Sequence, residues 1–99
     1  MNWRIEQLDE QLLLEGEIDS SSVDLFCAEL TNQINGHDLH LLDLDILDGV
    51  AMAKVVTALR KFQPIRLFYA PQMLAHTLYK CGLLHEEGFE LVFPREDEN

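Results

Sequence analysis

The sequence predicts a single α/β domain built on a mixed, mostly parallel five-stranded sheet with helices packed on it. Three observations predict it. Short apolar runs alternate with segments whose apolar residues recur at helical spacing. Capping and turn residues mark nearly every boundary between them. The chain's 99 residues, 47% hydrophobic and 25% charged, suit one ordinary globular core and not two. The element order reads ββαβαβαβ over a domain spanning 1–94, with 95–99 as a charged, frayed tail.

The first two elements form a hairpin. Trp3 to Leu8 and Gln11 to Ile18 read as strands, and the two residues between them, Asp9 and Glu10, allow only an antiparallel pair. Leu12, Leu13 and Leu14 run without a polar break, the pattern of a strand covered on both faces. Gly16 and Asp19 mark its end. Ser20, Ser21 and Ser22 offer hydroxyls as the cap of a first helix, with Ser21 and Asp24 at capping-box spacing. Val23, Phe26, Cys27, Leu30 and Ile34 form its stripe, and Asn35-Gly36 ends it.

Leu39 to Leu44 reads as strand three. Asp48 then caps a second helix whose inward stripe, Met52, Val55, Val56, Leu59 and Phe62, is the cleanest amphipathic signal in the chain. Pro64 breaks that pattern, and Ile65 to Tyr69 make strand four. Pro71 suits the first turn of a third helix, which carries Leu74, Leu78 and Cys81 inward and stops at Gly82. Phe89 to Phe93 is strand five. Alternating strands and helices imply right-handed crossovers and a sheet that is parallel apart from the hairpin.

Bulk properties narrow the function. A net charge of −11 argues against general nucleic-acid binding, which calls for a basic surface. No apolar run approaches the ~18 residues of a membrane span, and the start of the chain lacks the apolar core of a signal peptide. A cytoplasmic protein without membrane insertion is expected. Cys27 and Cys81 read as small buried hydrophobes, not as a disulfide. All 18 acids lie in residues 1–49 and 85–99, while 50–84 hold Lys54, Arg60, Lys61, Arg66 and Lys80 and no acid. That asymmetry can orient a partner.

Catalytic chemistry is thinly represented. Asp43, Asp45 and Asp48 cluster near the end of strand three, where open α/β sheets place ligands, and three carboxylates suit Mg²⁺. The simpler reading has Asp48 capping a helix while Asp43 and Asp45 face the loop. His37, His40, His76 and His85 show no metal-ligand spacing and read as surface residues. No nucleophile, base and oxyanion hole can be assembled, and no phosphate-binding glycine motif is present. No enzyme, cofactor or metal site is expected.

Three segments resemble the STAS domain, the fold of bacterial anti-sigma factor antagonists. Gly16-Glu17-Ile18-Asp19 resembles the family's Gly-Glu-Leu-Asp signature. Leu42-Asp43-Leu44 is similar to the strand leading into its Asp-Ser-Ser-Gly helix start, where Asp48-Gly49-Val50-Ala51-Met52 stands here. Lys80-Cys81-Gly82-Leu83 resembles its Ser-Gly-Leu segment. The resemblance spans about residues 3–93. In regulated members a partner kinase phosphorylates the serine before that glycine; here the position falls on Val50, and no serine or threonine lies between Thr31 and Thr57. The resemblance therefore implies a partner-docking fold without the phospho-switch.

The expected docking surface is the start and outer face of the second helix: Asp48, Gly49, Val50, Ala51, Lys54, Thr57 and Lys61, with Ala53 and Ala58 flanking. The resemblance implies a protein partner, either an anti-sigma factor of the serine-kinase kind or a transporter ATPase, and leaves homodimerisation open. The alternatives are a STAS-type subunit of a lipid-trafficking ABC transporter, or a small-ligand or metal binder using Asp43, Asp45 and Asp48.

Overall fold

The structure, a computed structural model, describes residues 2–34, 38–62, 64–83 and 89–93. β1 (Trp3–Leu8) and β2 (Gln11–Ile18) pair antiparallel in full register, from Trp3 opposite Gly16 to Leu8 opposite Gln11. The two-residue turn works because Asp9 accepts a left-handed backbone (φ +51°), which the short side chain of Asp tolerates. Gly16 is required for a different reason. Its φ is +105°, and a Cβ there would collide with the Asn2 carbonyl oxygen and the Trp3 Cα. The first strand can cross β2 only where there is no side chain.

After α1 (Val23–Gln33) the chain departs from the expected single strand over Leu39–Leu44. It forms two short strands instead, β3 (Asp38–His40) and β4 (Leu44–Ile46), so the sheet has six strands and not five. Both pair parallel to β2, with Leu39 opposite Leu12 and Leu44 opposite Gly16. Four steps along β2 thus answer five along β3–β4, and the extra residue bulges out within 41–43. The apolar pattern dictates this. Leu39, Leu41 and Leu44 are buried and Ile46 packs on the core. Alternation therefore holds on each side of a skipped beat between 41 and 44. The bulge absorbs the skip and leaves Leu42, Asp43 and Asp45 exposed.

α2 (Gly49–Leu59) continues into a single 3₁₀ turn, and β5 (Ile65–Phe68), α3 (Gln72–Lys80) and β6 (Phe89–Val92) complete the chain. The expected fourth and fifth strands are each one residue shorter at their C-terminal end. Tyr69 turns out of the sheet with φ +60°, and Phe93 is exposed. Gly82 adopts φ +75° after α3, as a helix-ending glycine should. The expected Asn35-Gly36 stop of α1 and the tail 95–99 lie outside the described residues.

The strands lie in the order β1-β2-β3-β5-β6, with β4 continuing beside β2. From β2 onward every crossover steps the same way, and right-handed crossovers that never reverse put all their helices on one face. α2 accordingly sits between α1 and α3 and touches both. Leu12, Leu14, Leu39 and Leu67 face this helical layer and meet Phe26, Leu30, Leu59, Leu74 and Leu78, all at most 2% exposed. Leu13 points the other way, in one row with His40, Phe68 and Val92. All four are only half-buried, so the expectation that β2 is covered on both faces is corrected. A sheet without a strand reversal also lacks the switch-point crevice in which doubly wound folds bind ligands.

Candidate functional site

The start of α2 is built by one carboxylate. Asp48 has the extended backbone of an N-cap, and its Oδ1 accepts the Ala51 N–H at 2.8 Å. This is the capping role the sequence predicts. Its Oδ2 accepts the Ser20 N–H at 2.8 Å, which the sequence could not show because the two residues are 28 apart. Asp48 therefore joins the start of α2 to the loop before α1. Those two backbone donors, Ala51 first and then Ser20, hold its carboxyl below the ordinary value of 3.8.

The loop before α1 differs from expectation. Ser22 occupies the N-cap position as expected, but its hydroxyl makes no side-chain cap bond. Asp19 does the work one turn earlier. Its Oδ1 accepts from the N–H groups of Ser21 and Ser22 at 3.0 and 3.1 Å, and from their hydroxyls at 2.7 and 3.1 Å. Its carbonyl takes the Val23 N–H at 2.9 Å. A carboxylate is a stronger acceptor than a hydroxyl, and here it captures the N–H and hydroxyl groups of the two serines just before the helix. The Ser21 hydroxyl is the main cause of a carboxyl held below its usual range.

Along α2 the expected outer row is exposed: Val50 at 54%, then Lys54, Thr57 and Lys61, with Gly49 before them. A Cβ on Gly49 would meet nothing within 4 Å, so this end is open to approach. Two expected surface residues are not at the surface. Ala51 is fully buried, and Ala58 is 8% exposed. The cause is that α2 is gripped on two sides by neighbouring helices, which widens its buried arc beyond the stripe that periodicity marks. Lys54 is not a free cation, because its Nζ lies 2.8 Å from Asp24 Oδ1 on α1.

The acidic cluster does not assemble. Asp43 and Asp45 are exposed, and both oxygens of Asp48 are occupied by backbone donors. Among the described residues no three His, Cys, Asp or Glu side chains are placed to hold a metal ion. His40 is no surface residue: it is half-buried in β3, edge-on to Tyr69 with ring centres 5.0 Å apart. His76 is exposed, while His37 and His85 lie outside the described residues. Both cysteines are free. Cys27 is half-buried with its Sγ 3.8 Å from the Lys54 carbonyl, and burial pushes its thiol up. Cys81 is exposed, contrary to its expected inward place, because α3 ends at Lys80 and its packing stripe ends with Leu78. No described helix is long and apolar enough to cross a membrane.

No protein-family model matches the chain, and no curated protein matches it.

Proposed function

We propose that this chain is a non-catalytic protein-interaction module resembling the anti-sigma factor antagonists, docking onto a regulatory partner through the start and outer face of α2. The observation that carries this reading is the Asp48–Ser20 hydrogen bond of 2.8 Å. It ties Ser20, the residue directly after the segment resembling the Gly-Glu-Leu-Asp signature, to Asp48 at the segment resembling the switch helix start, two stretches far apart in sequence. Beside this junction, Gly49 and the exposed Val50 leave an apolar, unobstructed helix end, and Lys54, Thr57 and Lys61 extend it along one ridge. Exposed apolar side chains rimmed by cations suit a protein partner carrying acids.

The surface set is Asp48, Gly49, Val50, Lys54, Thr57 and Lys61, without the buried Ala51. The test is affinity capture from extract of the native cell, comparing the parent protein with Val50→Asp and Lys54→Glu. The expected result is a protein retained by the parent, weakened by Lys54→Glu and lost with Val50→Asp, while Val50→Asp melts as the parent does and Lys54→Glu, which breaks the exposed pair with Asp24, stays folded. Its class, an anti-sigma factor of the serine-kinase kind or a transporter ATPase, separates the two sorts of partner. Identical capture by all three proteins removes this face from consideration.

A further inference from the structure

A groove of ≈ 600 Å³ runs between α2 and α3. Its volume falls within the roughly 300–1,000 Å³ of small-ligand sites. Leu47, Met52, Ala53, Val56 and Met73 form its apolar walls. Leu47 and Met73, at 50% and 65% exposed, flank the end nearest the start of α2. They are larger than a solvated surface needs, and as flexible side chains they adapt to a chain laid between them.

The polar groups of the groove are already satisfied, with one exception. Thr57 and Thr77 donate their hydroxyls back to the carbonyls of Ala53 and Met73 at 2.9 and 2.8 Å. Asp48 spends both oxygens on backbone N–H groups. Arg60, at the opposite end, is the cation that lines the groove, and like Lys61 and Lys80 it has no carboxylate partner among the described residues. Neither α2, α3 nor the strand between them carries an acid. Among the described residues the groove is thus a mainly apolar channel with one cation, Arg60, at one end. Along α2 it covers the distance from Gly49 to Arg60, about 16 Å at the helical rise.

We propose that this groove binds a single-chain carboxylate amphiphile, a medium-chain fatty acid, with the carboxylate on Arg60 and the alkyl chain lying toward Leu47 and Met73. A planar guanidinium offers paired donors that match one carboxylate. The groove shares Asp48, Gly49 and Thr57 with the docking surface proposed above but not Val50, Lys54 or Lys61, so different variants test the two readings.

The test uses the full chain and dodecanoate below its micelle concentration, read by titration calorimetry and by amide chemical shifts. Saturable one-to-one binding is expected, with shifts concentrated at Ala53, Val56, Met73 and Thr77. Cys81 also lines the groove, so dodecanoate should slow its alkylation by iodoacetamide and leave Cys27 unaffected. Arg60→Gln should weaken dodecanoate about tenfold or more, the usual consequence of losing a charge-assisted hydrogen bond. Arg60→Lys should restore part of that loss, and dodecanol should bind parent and Arg60→Gln alike. Met73→Glu, at an exposed position, should abolish binding without lowering the melting temperature. The proposal is overturned if dodecanoate does not saturate, if folded Arg60→Gln and Met73→Glu bind it as the parent does, or if the shifts map to the sheet face of Leu13, His40, Phe68 and Val92. Partner capture that persists in Met73→Glu would leave the docking reading standing on its own.

Discussion

At the residue scale two carboxylates set the local geometry, and each makes a prediction. Asp48→Ala frees the N–H groups of Ala51 and Ser20 together, so the melting temperature should drop by a few degrees. Hydrogen exchange should quicken at both amides; quickening at Ala51 alone would mean that the bridge to Ser20 adds nothing. Asp19 and Asp48 are both held below their ordinary value of 3.8 by donors present only in the folded chain. A depressed folded pKa means that the unfolded chain binds protons first as pH falls. The stability these groups contribute is therefore present at neutral pH, begins to fade near pH 4, and is lost as pH falls through their folded values. Between pH 7 and pH 3 the parent should lose more stability than Asp19→Asn/Asp48→Asn, measured by urea unfolding; equal losses would discount these carboxylates. Gly16→Ala places a methyl against Asn2 and Trp3 at φ +105°, and should destabilise by roughly 1–3 kcal/mol or more.

At the element scale the sequence was most legible where one periodicity persisted. The hairpin, the inward Val55, Val56 and Leu59 of α2, and the Asp48 cap all follow from spacing alone. Strand three reads as continuous in the sequence, yet its apolar residues carry the break: positions 39 and 41 share one phase, 44 and 46 the other. Only a bulge reconciles the two phases. The Asp19 turn is not legible in the sequence, because three adjacent serines offer hydroxyls at the same helix start and spacing does not rank a carboxylate above them. The burial of Ala51 and Ala58 is not legible in the sequence, because alanine carries no periodic information and only the packing of neighbouring elements decides it. The same distinction sets two mutational outcomes. Leu59→Ala, at 1% exposed, should cost roughly 2–5 kcal/mol through a core cavity. Val50→Asp, at 54% exposed, should stay within about 0.5 kcal/mol. Comparable losses in chemical denaturation would mean that α2 is rotated from its place here.

At the scale of the whole molecule, a strand order that never reverses produces two unlike faces. One is a helical layer with α2 at its centre, and the other is a sheet surface on which the described chain lays no helix. Among the described residues, the groove between α2 and α3 opens on the helical layer and reaches the C-terminal end of β4 at Ile46. The groove was not legible in the sequence, because its walls come from two helices whose spacing only the fold sets. The uneven placement of charge has a kinetic consequence. The block formed by α2, β5 and α3 carries cations and no acids, within a chain of net charge −11. The molecule is therefore an electric dipole, and the field of an acidic partner exerts a torque on it before any surface touches. Approaches with the α2–α3 side leading are favoured and the others are turned away. With a purified partner, added salt should slow association steeply and leave dissociation nearly unchanged, since the ions screen the approach and not the desolvated contact.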